Sequence, residues 1–213
     1  MDNKKPAKKT SAPCKRPYDL GKRLELSDGK RIAILEAARK QLEFNGFLQL
    51  TMESLAKESG VTRQTIHNLF GTKSAVLESL FDQLAVAGGL ERMREVMQQA
   101  NPEIMLSTFV EVFTGFWTKD RMLIRRIHGI AAIDPEFGEV VAARNQRRQM
   151  AASRIVNRLS KKEGAREEVQ AQQAATLYAL TSFEFFDALA ESIGNTTTAA
   201  SLVSDVVKRS MFV

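Results

Sequence analysis

The chain has 213 residues, of which 44% are hydrophobic and 26% are charged, a composition typical of a soluble globular protein with one large domain or two small ones. Its lysine-rich N-terminus has no apolar run behind it, and no segment offers about 18 consecutive apolar residues, so neither a signal peptide nor a membrane span is expected. Cys14 is the only cysteine, which excludes an intrachain disulfide and a cysteine-rich metal site, and we expect a protein of the reducing cytoplasm.

The net charge of +6 is concentrated in the first third of the chain. Residues 1–26 carry +5, residues 27–74 carry +2, and the remaining residues carry −1. This asymmetry favours a polyanionic partner, although a basic tail that only improves solubility would give the same charges. Because residues 1–26 also hold three of the five prolines and little apolar periodicity, they are predicted to form a flexible basic arm.

From Ser27 onward the apolar spacing is helical almost throughout, which predicts an all-α protein of about nine helices. Thr51, Thr62 and Thr72 are good N-cap residues, and Gly60 and Gly71 end helices. Two Asx-Pro pairs, at residues 101–102 and 134–135, open longer helices. The predicted spans are about 28–45, 52–59, 63–70, 73–87, 102–118, 120–132, 135–162, 166–193 and 197–211.

The second and third of these helices, joined by a turn at Gly60, form a predicted helix-turn-helix. The third helix is only about eight residues long, yet most of its side chains are polar. Because the DNA major groove admits a helix and presents hydrogen-bonding base edges, this polar surface suits a recognition helix. The simpler alternative is a solvated helix face. The predicted DNA-binding residues are Thr51, Thr62, Arg63, Gln64, Thr65, His67, Asn68 and Lys73.

These residues differ in the contact that we expect them to make. Arg63 suits guanine or a phosphate, Gln64 suits adenine, and Thr65 offers a methyl group and a hydroxyl. His67 and Asn68, later in the helix, are expected to reach phosphate oxygens. Two further phosphate contacts are expected from the helix N-terminus at Thr51 and from the charge of Lys73.

Residues 31–77, RIAILEAARKQLEFNGFLQLTMESLAKESGVTRQTIHNLFGTKSAVL, closely resemble the DNA-binding domain of TetR-type transcriptional regulators. The matching features are Ile34-Leu35, Ala37-Ala38, Gly46-Phe47, Thr51, Leu55-Ala56, Gly60-Val61, Thr65, Phe70, Lys73 and Leu77. His67 departs from the family pattern, in which a tyrosine usually bonds a DNA phosphate at this position, and Leu42 and Leu69 are smaller departures. The resemblance implies a DNA-binding domain over residues 27–74 and a helical ligand-binding and dimerisation domain over residues 75–213.

Within residues 75–213, the segment 174–190 is apolar on more than one face, so it needs a second partner besides its own core. The last helix has a matching apolar stripe. A four-helix interface between two subunits would satisfy both helices, whereas a large monomer core is the alternative. The predicted interface residues are Tyr178, Phe185, Phe186, Leu189, Leu202, Val203 and Val206.

An aromatic stripe on the predicted helix 102–118 follows helical spacing. Such stripes usually belong to the core, but the family resemblance implies that this helix can also line the effector site. His128 could offer a polar contact to the effector or be a structural histidine. The candidate ligand-binding residues are Phe109, Phe113, Phe116, Trp117, His128 and Tyr178.

Together these features predict a DNA-binding transcriptional regulator, with a repressor as the commonest type in such families. It would bind a palindromic double-stranded operator as a homodimer and be released by a small, largely apolar effector. The alternative is an all-helical small-molecule or lipid-binding protein, or an enzyme, with a basic tail. Because the sequence has only two histidines, no HExxH and no glycine-rich phosphate loop, we predict no catalytic residues, no metal and no cofactor.

Overall fold

A computed structural model describes residues 20–44, 49–163 and 166–212. This part of the chain is helical without strands, which confirms the predicted all-α class. None of its helices has the length and hydropathy needed to cross a bilayer. The predicted arm falls largely outside the described residues, as do Gly46 and Phe47.

Eleven α-helices form the described part of the chain. In chain order they are α1 (Leu20–Phe44), α2 (Met52–Ser59), α3 (Arg63–Phe70), α4 (Lys73–Ala87), α5 (Met93–Gln98), α6 (Pro102–Lys119), α7 (Arg121–Ala131), α8 (Pro135–Glu163), α9 (Glu167–Leu180), α10 (Phe183–Ile193) and α11 (Thr196–Met211). A short 3₁₀ turn, Leu90–Arg92, leads into α5.

Three predictions of helix extent were wrong. Helix α1 begins at Leu20 rather than near residue 28, so the helix takes in the end of the predicted arm. Helix α5 was not predicted, and its buried Val96 anchors it to the core. The predicted helix 166–193 is two helices, because the hydroxyl of Ser182 caps α10 by accepting from the N–H of Phe185 at 3.1 Å.

Helices α1, α2 and α3 pack around a small apolar core that includes Ile34, Leu42, Leu55 and Ile66, all fully buried. Helix α4 follows α3 directly and packs against α1, α6 and α8. A larger core lies among α6, α7, α8, α10 and α11, and its biggest side chains are Phe109, Phe116, Phe137 and Phe186.

Polar contacts also tie the helix-turn-helix region to the longer helices. Arg39 of α1 pairs with Asp120, and Arg126 of α7 donates to the carbonyl of Leu42. The hydroxyl of Thr72, just after α3, donates to Glu136 Oε1 of α8 at 3.0 Å. These contacts hold the orientation of α3 relative to the rest of the protein at several points.

Candidate nucleic-acid interface and effector cavity

Side-chain caps and glycines fix the geometry of the helix-turn-helix. Thr51 and Ser54 form a capping box at the start of α2, with N–H to hydroxyl distances of 3.0 and 2.9 Å. Gly60 ends α2 in the left-handed region with φ 68° and frees the chain to turn into α3. Thr62 then caps α3 by accepting from the N–H of Thr65 at 3.1 Å. The sequence predicted each of these three stop and start signals.

Helix α3 buries one residue and presents most of the others to solvent. Ile66 is fully buried, whereas Arg63, Gln64, His67 and Asn68 are exposed. Ile66 anchors the helix, and Leu69 and Phe70 pack partly buried against the core, so only the polar face is available to a partner. Its polar groups therefore lie together on one exposed face, as predicted from the sequence.

Several of these exposed groups are paired with one another in the free protein. Gln64 Nε2 donates to Asn68 Oδ1 at 2.8 Å, and the hydroxyls of Thr62 and Thr65 lie 2.9 Å apart. Arg63 pairs with Glu53 of α2 at 2.5 Å, although both side chains are about two-thirds exposed. An exposed pair of this kind contributes little stability and can open when a phosphate or base replaces the carboxylate.

The end of α3 leads at once into α4. Gly71 has φ 80° and donates its N–H to the carbonyl of His67 at 2.8 Å, a backbone conformation that favours glycine. Thr72 caps α4 by accepting from the N–H of Ala75 at 3.1 Å. Only Gly71 and Thr72 separate α3 from α4, so the positions of the two helices are closely coupled.

A cavity of about 480 Å³ lies between α4, α5, α6, α7 and α8, a volume within the usual range for small-molecule sites. Aromatic and methionine side chains form much of its wall, and arginines of α8 form one side. The lining residues are Phe81, Asp82, Ala85, Leu90, Met93, Met97, Phe113, Phe116, Trp117, His128, Val141, Arg144, Asn145, Arg147, Arg148, Met150, Ala151 and Arg154.

Two side chains on the apolar wall of the cavity are held by polar bonds. Trp117 donates its indole N–H to the carbonyl of Thr181 at 3.1 Å. His128 lies 2.9 Å from Glu184 through Nδ1, and this hydrogen bond lowers the pKa of Glu184 to about 2. His128 therefore has a structural partner and also borders the cavity.

Comparisons with known proteins agree with this architecture. The family model of bacterial regulatory proteins, tetR family, matches residues 34–80. The HTH-type transcriptional regulator EthR of Mycolicibacterium smegmatis is 27% identical over 151 residues, which cover 70% of this chain and 69% of EthR. AlkX, an HTH-type transcriptional regulator of Mycobacterium tuberculosis, is 29% identical over 129 residues, which cover 59% of this chain and 58% of AlkX. Residues 34–80 are thus a TetR-type DNA-binding domain, and the chain as a whole is similar to TetR-family regulators.

Solved structures share the fold at lower sequence identity. A TetR transcription regulator from Haloarcula marismortui superposes with a TM-score of 0.67 at 15% identity, covering 86% of this chain and 97% of that one. NalD, the secondary repressor of the MexAB-OprM multidrug efflux pump in Pseudomonas aeruginosa, gives 0.66 at 17% identity, with coverage of 87% and 96%. Given the domain at residues 34–80 and the curated relatives, the protein is a DNA-binding transcriptional regulator.

The candidate ligand-binding residues of this protein separate into two groups. Phe113, Phe116, Trp117 and His128 border the cavity. Phe109 is fully buried outside the cavity wall, and its ring packs 5.0 Å from that of Phe113. Tyr178 is also outside the wall and lies against the guanidinium of Arg148.

The candidate interface residues likewise divide between core and surface. Phe186 and Val203 are fully buried within their own subunit, so neither offers a surface to a partner. Both side chains belong to the buried apolar core of their own subunit. Four of the other candidates remain partly or largely accessible on these two helices, namely Phe185, Leu189, Leu202 and Val206.

The sequence reading missed the cavity-facing residues of α5 and α8. Met93 and Met97 lie in a helix that was not predicted. Arg148 was overlooked although its position is unusual, since it shares the apolar stripe of α8 with Val141, Ala152 and Ile155. An arginine at a buried position of a helical stripe is the signal that would have identified it.

Proposed function

We propose that the protein is a transcriptional repressor that binds a palindromic operator as a homodimer and leaves it when a small molecule fills the cavity. The observation that carries this proposal is the position of α4. Its first residue, Lys73, is separated from the end of α3 by only two residues. Later in the same helix, Phe81, Asp82 and Ala85 line the cavity. One helix therefore contacts both the DNA-reading surface and the ligand site.

Two copies of α3 would enter successive major grooves on one side of the DNA, related by the two-fold axis of the dimer. Operator affinity then depends on the distance between the two helices. An effector weakens binding only if it prefers a conformation in which this distance is wrong. A shift of α4 away from the cavity is the simplest movement that links ligand binding to that distance.

Contacts between α4 and α8 support this route. Arg144 of α8 pairs with Asp82, lies 3.5 Å from Glu78 Oε1, and covers the ring of Phe81 at 5.1 Å. Because Arg144, Asp82 and Phe81 all line the cavity, a ligand there would compete with the bonds that fix α4 to α8.

The interface between subunits is proposed on the outer faces of α10 and α11. Leu202 and Ile193 are each 39% exposed in the isolated subunit, and Phe185, Leu189 and Val206 are partly exposed. Apolar side chains in these two helices would be covered by the same helices of a second copy, which gives a four-helix interface. TetR regulators generally act as dimers.

The alternative of a lipid carrier or enzyme is not favoured. A carrier would use the cavity, but it would have no use for the exposed polar face of α3 or for the capped turn that connects it to α4. Neither feature contributes to enclosing a ligand. The helix-turn-helix and the cavity are explained together only by ligand-controlled DNA binding.

Filling the cavity by substitution should imitate the effector. Ala151 is buried in the cavity wall on α8, and Ala151→Trp places an indole where the ligand would lie. We expect the variant to bind operator at least about fivefold more weakly, the lower end of typical allosteric coupling. Anisotropy on labelled operator provides the affinity, and circular dichroism verifies the helical fold.

Ala143→Trp is the matched control, because Ala143 lies on the same helix but is exposed and outside the cavity wall. It should bind operator like the wild type. A folded Ala151→Trp protein with unchanged operator affinity would contradict control through this cavity.

A further inference from the structure

Arg148 is a buried cation on the apolar stripe of α8. Its exposure is 5%, and its neighbours along the stripe are Val141, Ala152 and Ile155. Burying a guanidinium costs several kcal/mol unless charge and hydrogen bonds compensate. The contacts of Arg148 therefore show how far the cost of burying its guanidinium is compensated.

Every hydrogen-bond partner of Arg148 is neutral. Nη1 donates to the carbonyl of Tyr178 at 2.5 Å and to the hydroxyl of Thr181 at 3.3 Å, and Nη2 lies 3.5 Å from Asn145 Oδ1. The ring of Tyr178 lies 4.1 Å from Cζ and adds a cation–π contact. Within the described residues, Arg148 forms no ion pair.

One edge of the guanidinium is left with little to bond. Nε is buried and has no hydrogen-bond partner among the described residues, and Nη2 on the same edge has only the long contact to Asn145. Burial lowers the pKa of Arg148, and the interactions with Tyr178 and Glu184 only partly oppose this effect. That carboxylate is itself bonded to His128.

This incomplete site borders the cavity. An arginine edge of two N–H donors matches the two oxygens of a carboxylate. The surrounding charge favours the same kind of ligand, because four arginines, at positions 144, 147, 148 and 154, face a single aspartate, Asp82, in the lining. Phe116, Trp117 and the methionines of α5 form an apolar part of the same lining.

We infer that the effector is an amphipathic organic acid, whose anionic group binds the Nε–Nη2 edge of Arg148 and whose apolar body lies against the aromatic and methionine wall. This inference rests on the proposed function and narrows its ligand class. A carboxylate would supply both the missing acceptor and the missing counter-charge. The sequence predicted a largely apolar effector, whereas this inference requires an effector that also carries a negative charge.

The position of Arg148 also connects such a ligand to the proposed subunit interface. Its bonds to Tyr178 and Thr181 end at the junction of α9 and α10, and Trp117 of the cavity wall donates to the carbonyl of the same Thr181. An acid that draws the guanidinium toward itself would weaken its hold on this junction.

The test uses the intrinsic fluorescence of Trp117, which is the only tryptophan and lines the cavity. Full-length protein is titrated with decanoate, decanol, decyl sulfate and decyltrimethylammonium, all below micelle formation. Decanoate should bind about 10- to 100-fold more tightly than decanol, as expected for a charged hydrogen-bonded contact. The cation should bind more weakly than the alcohol, and decyl sulfate distinguishes a carboxylate site from a general anion site.

Arg148→Met should remove the preference for decanoate over decanol, and Arg148→Lys, which keeps the charge but loses the planar edge, should reduce it. Arg154→Met is the matched control, because it removes the same charge from an exposed residue of the cavity wall. It should keep most of the preference. The wild-type comparison of acid with alcohol remains decisive if Arg148→Met does not fold.

Equal affinity of the wild type for decanoate and decanol would overturn the inference. So would the absence of saturable binding by any straight-chain acid of about 6 to 14 carbons, a range that fits the cavity. Both outcomes are measured without DNA, so neither would contradict the proposed binding to an operator. Failure to bind any operator would instead contradict the proposed function.

Discussion

Leu202→Glu is expected to dissociate the dimer and to remove high-affinity operator binding in the same step. Leu202 is 39% exposed on α11, on the face that we propose to be covered by the second subunit. Because the two-fold axis repeats the substitution, two carboxylates enter one apolar interface, at a cost of roughly 2 kcal/mol or more for each. A monomer holds only one half-site, so operator affinity should fall at least about 100-fold.

Ile133→Glu provides the control for this substitution. Ile133 is 65% exposed between α7 and α8 and lies outside the proposed interface. Light scattering at micromolar concentration should give a dimer for the wild type and the control and a monomer for Leu202→Glu. A wild-type protein that is monomeric under these conditions would refute the proposed interface.

Gln64→Ala is expected to weaken operator binding by about 1–3 kcal/mol in each half-site and to relax the preference for one base pair there. Gln64 is exposed on α3, and its amide is held by Asn68 at 2.8 Å. The pair positions the amide of Gln64 before DNA arrives, which lowers the entropic cost of reading a base. Competition among operators that differ at single base pairs measures both effects.

Lys73→Ala serves as the comparison for Gln64→Ala. A lysine contact to phosphate carries no sequence information, so its loss should weaken binding to operator and to random DNA alike and reduce the salt dependence. Equal losses by Gln64→Ala on both kinds of DNA would remove Gln64 from the set of base-reading residues.

The helix-turn-helix could be predicted from sequence because its determinants are local. Thr51, Thr62 and Thr72 cap helices within three residues of themselves, and Gly60 and Gly71 adopt the positive φ values that few other residues tolerate. Ile66 supplies the single buried anchor of α3. Each signal lies within one helical turn of the backbone that it shapes, so it can be recognised without knowledge of the tertiary structure.

The break between α9 and α10 depends on contacts that are distant in sequence. Trp117 reaches the carbonyl of Thr181 from 64 residues away, and Arg148 bonds the hydroxyl of the same threonine. The apolar periodicity continues through this point, so it favoured one helix over 166–193. The tertiary hydrogen bonds to Thr181 and the Ser182 cap instead end α9 and begin α10.

The cavity was only partly predictable for a related reason. Helical spacing places Phe113, Phe116 and Trp117 on one face, but it does not distinguish a cavity wall from a filled core, and Phe109 on the same stripe is fully packed. Arg148 could be recognised only by asking which charged residues of α8 lie on its apolar stripe. The distinction depends on how five helices meet, which no single helix reveals.

The most direct test of the account compares operator DNA with shuffled DNA of equal length. The operator is sought by gel shift in the DNA that flanks the coding region of this protein, and both affinities are then measured by anisotropy at physiological salt. A regulator that reads bases through α3 should prefer the operator by at least about 10³-fold. Equal affinity for operator and shuffled DNA, with the same salt dependence, would contradict it.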